Sequence, residues 1–476
     1  MLQELLLASP LSVLSLLSVI CIVVDALTPK SERLTFMFAG FSMLISMVLA
    51  MATFGAHGTV FQGMITVGGY ASFFDVVFCM AGILTLFAAR PYILRENIEH
   101  DEFYSLTLFA VAGMSVIAHA HNLLMTFIGI EIMSVCFYVL AGYFRSNERS
   151  TESALKYFLL GAFATGFLVF GMSFVYGATG SLDYSVIREH VQAGALNFPR
   201  LLALGTGLIV VGLGFKVAVV PFHQWVPDVY EGSPTVVTAF MSTAGKAASL
   251  CALLPLIAVV VPQGHHGPLQ GALAVLSALT MLVGNITAVV QTNVKRMLAY
   301  SSVAHAGYLL IGFVAMNERG GTGIVYYAVA YMFMQMGAFI VVSLVETSNN
   351  GRLQLSDYAG LSKHHPVLAA LMALFMFSLA GIPPMAGFFG KYYLFIAAVE
   401  AGYTWLTVVA VISSMISVYF YIGLVVLMYF KDPVSDTVEA REGSTAGLTL
   451  FVCTTFVLLL GFFPGVLASL SSFILR

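Results

Sequence analysis

The sequence predicts an all-α polytopic membrane protein of about fourteen transmembrane helices. Composition, the recurrence of long apolar runs and the partition of basic residues carry that prediction. Hydrophobic residues fill 59% of the 476 positions and charged residues only 9%, at a mean hydropathy of +0.95. A soluble domain carries roughly 25% charged residues. Apolar runs of about 20 residues, enough helix to cross a ~30 Å hydrocarbon layer, recur from end to end. A β-barrel would show alternating strands of ~10 residues, whereas these runs are continuous and rich in Leu, Ala, Met and Gly.

Spans are expected near 3–27, 34–54, 72–89, 103–118, 121–142, 153–178, 200–222, 234–258, 269–291, 297–316, 322–347, 367–402, 404–430 and 446–472. The opening MLQELLLASP lacks a basic stretch and a cleavage site, so it reads as the start of the first span. Segment 367–402 is too long for one straight helix, and Gly-Ile-Pro-Pro at 381–384, with Pro383 and Pro384, breaks it. Loops after odd-numbered spans hold Lys30, Arg33, Arg90, Arg95, Arg145, Arg149, Lys295, Arg296, Arg352, Lys363, Lys431 and Arg441. The other side holds Arg188, Arg200, Arg319 and Arg476. Cytoplasmic loops are enriched in Lys and Arg, so both termini are expected on the periplasmic side. The cysteines Cys21, Cys79, Cys136, Cys251 and Cys453 stand singly in apolar segments, which argues against disulfides, iron–sulfur clusters and zinc.

Four lysines fall inside spans instead: Lys156, Lys216, Lys246 and Lys391. Unlike arginine, lysine changes its protonation readily when buried. A lysine at mid-membrane costs ~2.5–3.5 kcal/mol, so such residues mark function. Glu131, in FIGIEIMSVCF, reads as the only carboxylate near a span centre, with structural hydrogen bonding as the plainer alternative. Lys216 precedes Pro221, which lacks an amide hydrogen and is expected to free the carbonyl of Val217 within the span. Broken spans of this kind line ion sites in transporters. Lys246 lies too deep to reach the interface, and Lys391 follows the second break by two turns. Lys156 is weaker, because it sits where its side chain can reach back to the surface. His305 is suited to relaying protons. His119, His121 and His223 read as interfacial structure, and the histidine spacing disfavours haem.

The two broken spans lie five apart and so cross in opposite directions. An inverted repeat would do this, dividing the chain into 1–102, two five-helix units at 103–258 and 259–430, and 431–476 with the last span.

The stretches PFHQWVPDVYEGSPTVVTAFMSTAGKAA, YSSVAHAGY, LSKHHP and SLAGIPPMAGFFGKYYLF resemble the antiporter-like membrane subunits of respiratory complex I, and most closely the N (ND2-type) subunits. The likeness covers roughly 100–430, and Val236 stands where the family's SPTPVTAF has its second proline. The resemblance implies a proton-pumping subunit of NADH:quinone oxidoreductase in a bacterial inner membrane. It would be wedged beside a neighbouring antiporter-like subunit and small membrane subunits, in contact with lipid and not with nucleic acid. It further implies that Glu131 pairs with Lys216 on the cytoplasmic side, that Lys246 and His305 form a central relay, and that Lys391 serves the exit. Release from Lys216 would run toward Lys246. The chain would carry no cofactor; FMN, iron–sulfur clusters and quinone belong to other subunits. A subunit of a multisubunit Mrp-type cation/proton antiporter is the alternative, followed by a structural subunit with relic charges.

Overall fold

The computed structural model describes residues 2–27, 32–96, 102–194, 198–261, 267–346, 351, 353–433 and 444–475. Among the basic residues assigned to loops, Lys30, Arg352, Arg441 and Arg476 lie outside them. The chain opens with α1 (Leu2–Leu7), α2 (Ser9–Leu27) and α3 (Glu32–Ala52). A hairpin of β1 (Gly58–Val60) and β2 (Ile65–Val67) leads into α4 (Gly69–Arg95). There follow α5 (Glu102–His119), α6 (Leu123–Ala141), α7 (Glu148–Thr179), α8 (Tyr184–Gln192), α9 (Pro199–Val217) and α10 (Trp225–Gly232). Next, α11 (Thr235–Phe240) passes through a π-helical turn, Met241–Gly245, into α12 (Lys246–Val260). The remainder is α13 (Pro268–Val289), α14 (Val294–Ala315), α15 (Glu318–Val345), α16 (Leu361–His364), α17 (Pro366–Ala380), α18 (Ala386–Glu400), α19 (Thr404–Phe430), α20 (Ser444–Phe462) and α21 (Pro464–Ile474).

Thirteen helices among the described residues are long and apolar enough to cross a membrane. The expected twelfth span is instead α17 and α18 in series, 15 residues each. At 1.5 Å per residue either is ~22 Å long and short of the hydrocarbon layer alone. The architecture is all-α, with one short two-stranded hairpin beside it. Two span ends differ from expectation. The seventh span ends at Val217 and not at 222. The last span ends at Phe462, because Pro464 cannot donate to a continuing helix and starts α21 at its first turn.

Helix starts are written in the sequence by amide and carboxylate side chains. Asn122, Asn147, Asp183, Asn293 and Asn317 each accept backbone amides at the first turn of α6, α7, α8, α14 and α15. Glycines let helix backbones touch. A Cβ at Gly113 would lie 2.6 Å from the Met133 nitrogen, and one at Gly284 would lie 2.6 Å from that of Ala304. Gly284→Ala is therefore expected to push α13 off α14 at about 1–3 kcal/mol. A lowered thermal midpoint of the detergent-solubilised protein, with wild-type helix content, is the measurement that checks it.

The two halves share local constructions. Asn122 bridges to Asp183, and Asn293 to Gln354. The same 171-residue displacement takes Gly113 to Gly284, Asn122 to Asn293 and Asp183 to Gln354. Helices α14 and α15 are buried almost throughout, whereas α2, α3, α7 and α19 expose large apolar side chains at the periphery.

Candidate functional site

The first charge cluster forms where α9 stops. Ala218 turns left-handed (φ 74°), and the amides of Ala218 and Val219 cap the carbonyls of Phe215 and Gly214. The break thus precedes Pro221 by three residues, and the proline lies in the following turn. Next to the lysine, it is the carbonyl of Phe215 that takes an outside donor, the Trp225 indole Nε1 at 2.9 Å. Lys216 is buried in the last turn and donates to Ser134 Oγ (2.7 Å) and Tyr138 OH (2.9 Å) on α6.

Glu131 lies one turn before Ser134 on α6, partly buried, and accepts from Thr165 Oγ1 at 2.7 Å. The expected contact pair of Glu131 and Lys216 is not formed: no ion pair within 4.0 Å joins them among the described residues. Each is instead satisfied by hydroxyl groups, with Ser134 between them along the helix.

Lys156 is 42% exposed and reaches back to the surface, where it pairs with Glu152 (2.6 Å) and Asp228 (2.9 Å). Arg296 completes the network to Asp228 (2.8 Å) and Glu231 (2.9 Å). Partial burial would raise the Asp228 carboxyl, but Lys156 and Arg296 outweigh it and hold the group below the usual range.

Lys246 emerges fully buried from the π-helical turn. Its Nζ donates to the backbone carbonyl (2.5 Å) and Oγ (2.6 Å) of Ser302 on α14 and stands over the Tyr331 ring. One turn further along α14, His305 places Nδ1 2.6 Å from Tyr327 OH and Nε2 3.0 Å from Tyr421 OH. Tyr421 also bonds Ser301. Phenolic hydroxyls donate or accept, so either imidazole tautomer fits this pocket.

Lys391, on α18, reaches back to the second break. Helix α17 ends at left-handed Gly381 (φ 85°), leaving terminal carbonyls without helical donors. The ammonium takes up those of Ala380 (2.9 Å) and Leu379 (3.2 Å), donates to Ser414 Oγ (2.8 Å), and lies over the Tyr308 ring. Pro383 sits in the linking turn, and Pro384 follows it. Lys391 also lines a pocket of about 720 Å³ that runs past Tyr392 to Glu400 at the far end of α18.

Four buried titratable groups were missed. Lys295, assigned to a loop, is fully buried in the first turn of α14 and donates to the Ser233 carbonyl at 2.7 Å. Glu346, at the end of α15, is buried and accepts from Thr235 Oγ1 at 2.5 Å. Asp75 is a second carboxylate buried within a span, paired at 2.8 Å with His119, which is core and not interfacial. His121 stays near the surface, 3.9 Å from Asp183, and His223 is partly buried in the turn after α9. Proximity to span ends hid Lys295, Glu346 and His119. For Asp75 the available signal was a carboxylate inside an otherwise apolar run.

No group of three or more His, Cys, Asp or Glu able to hold a metal ion occurs among the described residues. Residues 120–417 match the family described as NADH:quinone oxidoreductase/Mrp antiporter, TM. NADH-quinone oxidoreductase subunit N 1 of Chloroherpeton thalassium is 43% identical over 98% of this chain and 97% of its own length. Subunit N of Trichlorobacter lovleyi is 41% identical over 96% and 94%. A chain of respiratory complex I from Thermus thermophilus with bound aureothin superposes with a TM-score of 0.84 at 34% identity, covering 97% of this chain and 99% of that one. A chain of the Mrp complex from Dietzia shares the fold, with a TM-score of 0.87 at 21% identity over 100% and 97%. The protein therefore belongs to the subunit N family of NADH-quinone oxidoreductase.

Proposed function

We propose that Glu131, Lys216, Lys246, His305 and Lys391 form the proton relay of a membrane subunit of NADH-quinone oxidoreductase. The observation that carries this is the meeting of Lys246, on α12, with α14, where its partner Ser302 and His305 lie on successive turns; Lys246 and His305 are both buried and held by hydroxyl groups that can each give and take a proton. Lys391 extends the line to the second helix break, and its pocket supports an exit toward the periplasmic side. Glu131 and Lys216 stand at the other end as a separated pair. An opposite charge at close range favours an ammonium, and its withdrawal favours proton release. Movement of Glu131 away from Lys216 favours release of the Lys216 proton toward Lys246, and the proton on Lys246 passes through His305 to Lys391. Lys156 belongs to the surface network at the cytoplasmic face.

The shared bridge, cap and glycine contacts, displaced by 171 residues, support reading 103–258 and 259–430 as two inverted units, flanked by 1–102 and 431–476. Both termini then lie on the periplasmic side of a bacterial inner membrane. A neighbouring antiporter-like subunit and small membrane subunits cover the flanks, and FMN, iron–sulfur clusters and quinone sit elsewhere in the assembly.

Lys216→Met keeps the bulk and removes the charge. In inside-out membrane vesicles, proton translocation per NADH oxidised is expected to fall while the chain still inserts; an unchanged ratio would sink the relay. The Mrp-type alternative predicts proton movement that depends on sodium or potassium, and the relay predicts none.

A further inference from the structure

We propose that Tyr421 and Tyr327 are the residues through which His305 takes up and gives away its proton, within a hydrogen-bonded string that runs Ser301, Tyr421, His305, Tyr327. The inference rests on the relay reading and names the groups that serve its histidine.

Three helices assemble the string. Tyr421, on α19, bonds both Ser301 Oγ and His305 Nε2 of α14, the latter at 3.0 Å. Tyr327, on α15, stands 2.6 Å from Nδ1 at the other edge of the ring. All of these residues are buried. A histidine is often fixed in one tautomer by a backbone carbonyl, which only accepts, as Thr66 fixes His119. His305 has a phenol at each nitrogen instead, and a phenol gives a hydrogen as readily as it takes one.

The place of Tyr327 depends on Gly390. A Cβ at Gly390 would lie 2.1 Å from Tyr327 Cδ2, so α18 carries a glycine where the phenol packs against it, and the next residue is Lys391. At the other end, Ser301 precedes Ser302, whose hydroxyl and carbonyl hold Lys246. One end of the string thus adjoins the residue that holds Lys246, and the other packs beside Lys391. Those two lysines are the charged groups that act on His305 electrostatically.

Ser301, Tyr421, neutral His305 and Tyr327 carry one transferable hydrogen each, which is one more than the joints between them. The spare hydrogen sits at one end. With the spare on Tyr327, every joint points from Ser301 toward Tyr327, and His305 holds its hydrogen on Nδ1. A proton arriving at the Ser301 oxygen sends the Ser301 hydrogen to Tyr421 and the Tyr421 hydrogen to Nε2. The Nδ1 hydrogen then moves to Tyr327, and the Tyr327 hydrogen leaves. As many O–H and N–H bonds form as break, no electron moves, and the string is neutral before and after. The spare hydrogen is now on Ser301 and His305 is in its other tautomer. A second proton cannot follow in the same direction until the string turns back, so it passes one proton per reset.

The test uses the assembled complex in inside-out vesicles and reads proton translocation per NADH oxidised. Lys246→Met defines the share that depends on the relay. Tyr421→Phe and Tyr327→Phe keep each ring and remove only the hydroxyl, and each is expected to slow that share about tenfold. The double variant is expected to lose no more than either single one, because one cut already opens the string and groups acting as a unit are not additive. Independent packing defects on α15 and α19 would instead multiply, to about a hundredfold. Tyr326→Phe is the control: it removes the neighbouring hydroxyl, which donates to the Leu460 carbonyl at 2.7 Å outside the string, and wild-type translocation is expected. If Tyr421→Phe does not assemble, Tyr327→Phe against Tyr326→Phe decides the matter. Wild-type translocation in either string variant, a multiplying double, or an equal loss in Tyr326→Phe overturns the string while Lys246→Met remains impaired. Wild-type translocation in Lys246→Met overturns the relay itself.

Discussion

Replacing Lys246 with Met is expected to remove relay-dependent proton translocation by on the order of a hundredfold or more, the loss usual when a positioned acid–base group is deleted. Methionine fills nearly the same volume and removes an ammonium from a fully buried site, so assembly should survive. Lys246→Arg is the sharper variant. Arginine keeps the positive charge that Ser302 and the Tyr331 ring accommodate, but it does not release its proton. If Lys246 served only as a fixed charge locking α12 against α14, Arg would restore function and Met would not. A proton carrier predicts that both fail. Proton translocation per NADH, measured at matched amounts of assembled complex, separates the two, and recovery in the Arg variant would remove Lys246 from the relay.

Much of this was legible in the sequence because the membrane simplifies the code. Apolar length gives the spans, and basic residues outside them stand apart from lysines inside them. That contrast was enough to single out Lys216, Lys246 and Lys391, all of which are buried. It failed where a charge falls within a turn or two of the end of an expected span. There the sequence does not distinguish Lys156, which reaches the surface, from Lys295, which turns inward to the Ser233 carbonyl. The difference lies in what packs alongside, and α10 and α11 come from another part of the chain.

The breaks were legible to within a few residues. Proline marks where a helix cannot continue, but Ala218 ends α9 earlier by turning left-handed, a conformation an alanine does not advertise. At the second break Gly381 does the same with the residue type suited to it. The separation of Glu131 from Lys216 had no sequence signal. It depends on which side-chain hydroxyl groups, Thr165 and Ser134, stand closer to each.

His119→Leu is expected to destabilise the N-terminal part of the chain by about 3–5 kcal/mol, the cost of leaving one partner of a buried pair alone. His119 Nδ1 lies 2.7 Å from the Thr66 carbonyl, which can only accept, so Nδ1 carries a hydrogen. Nε2 lies 2.8 Å from Asp75 Oδ2, and one hydrogen must sit between them. Either an imidazolium faces a carboxylate or a neutral ring faces a carboxylic acid, and in both forms the pair is neutral overall. Leucine leaves Asp75 without that partner, and its Oδ1 already has none among the described residues. The same change cuts the link from α5 to the β1–β2 hairpin, where Thr66 Oγ1 still donates to the His119 carbonyl at 3.2 Å. Asp75→Asn should be milder, about 1–3 kcal/mol, because its amide can donate to a neutral Nε2. The double variant His119→Leu/Asp75→Leu should recover much of the loss, since no buried charge remains to be satisfied. Thermal unfolding of the purified complex and protease access to the hairpin measure both effects. A His119→Leu protein as stable as wild type, with the double variant no better, would show that the pair carries no charge cost and that this accounting is wrong.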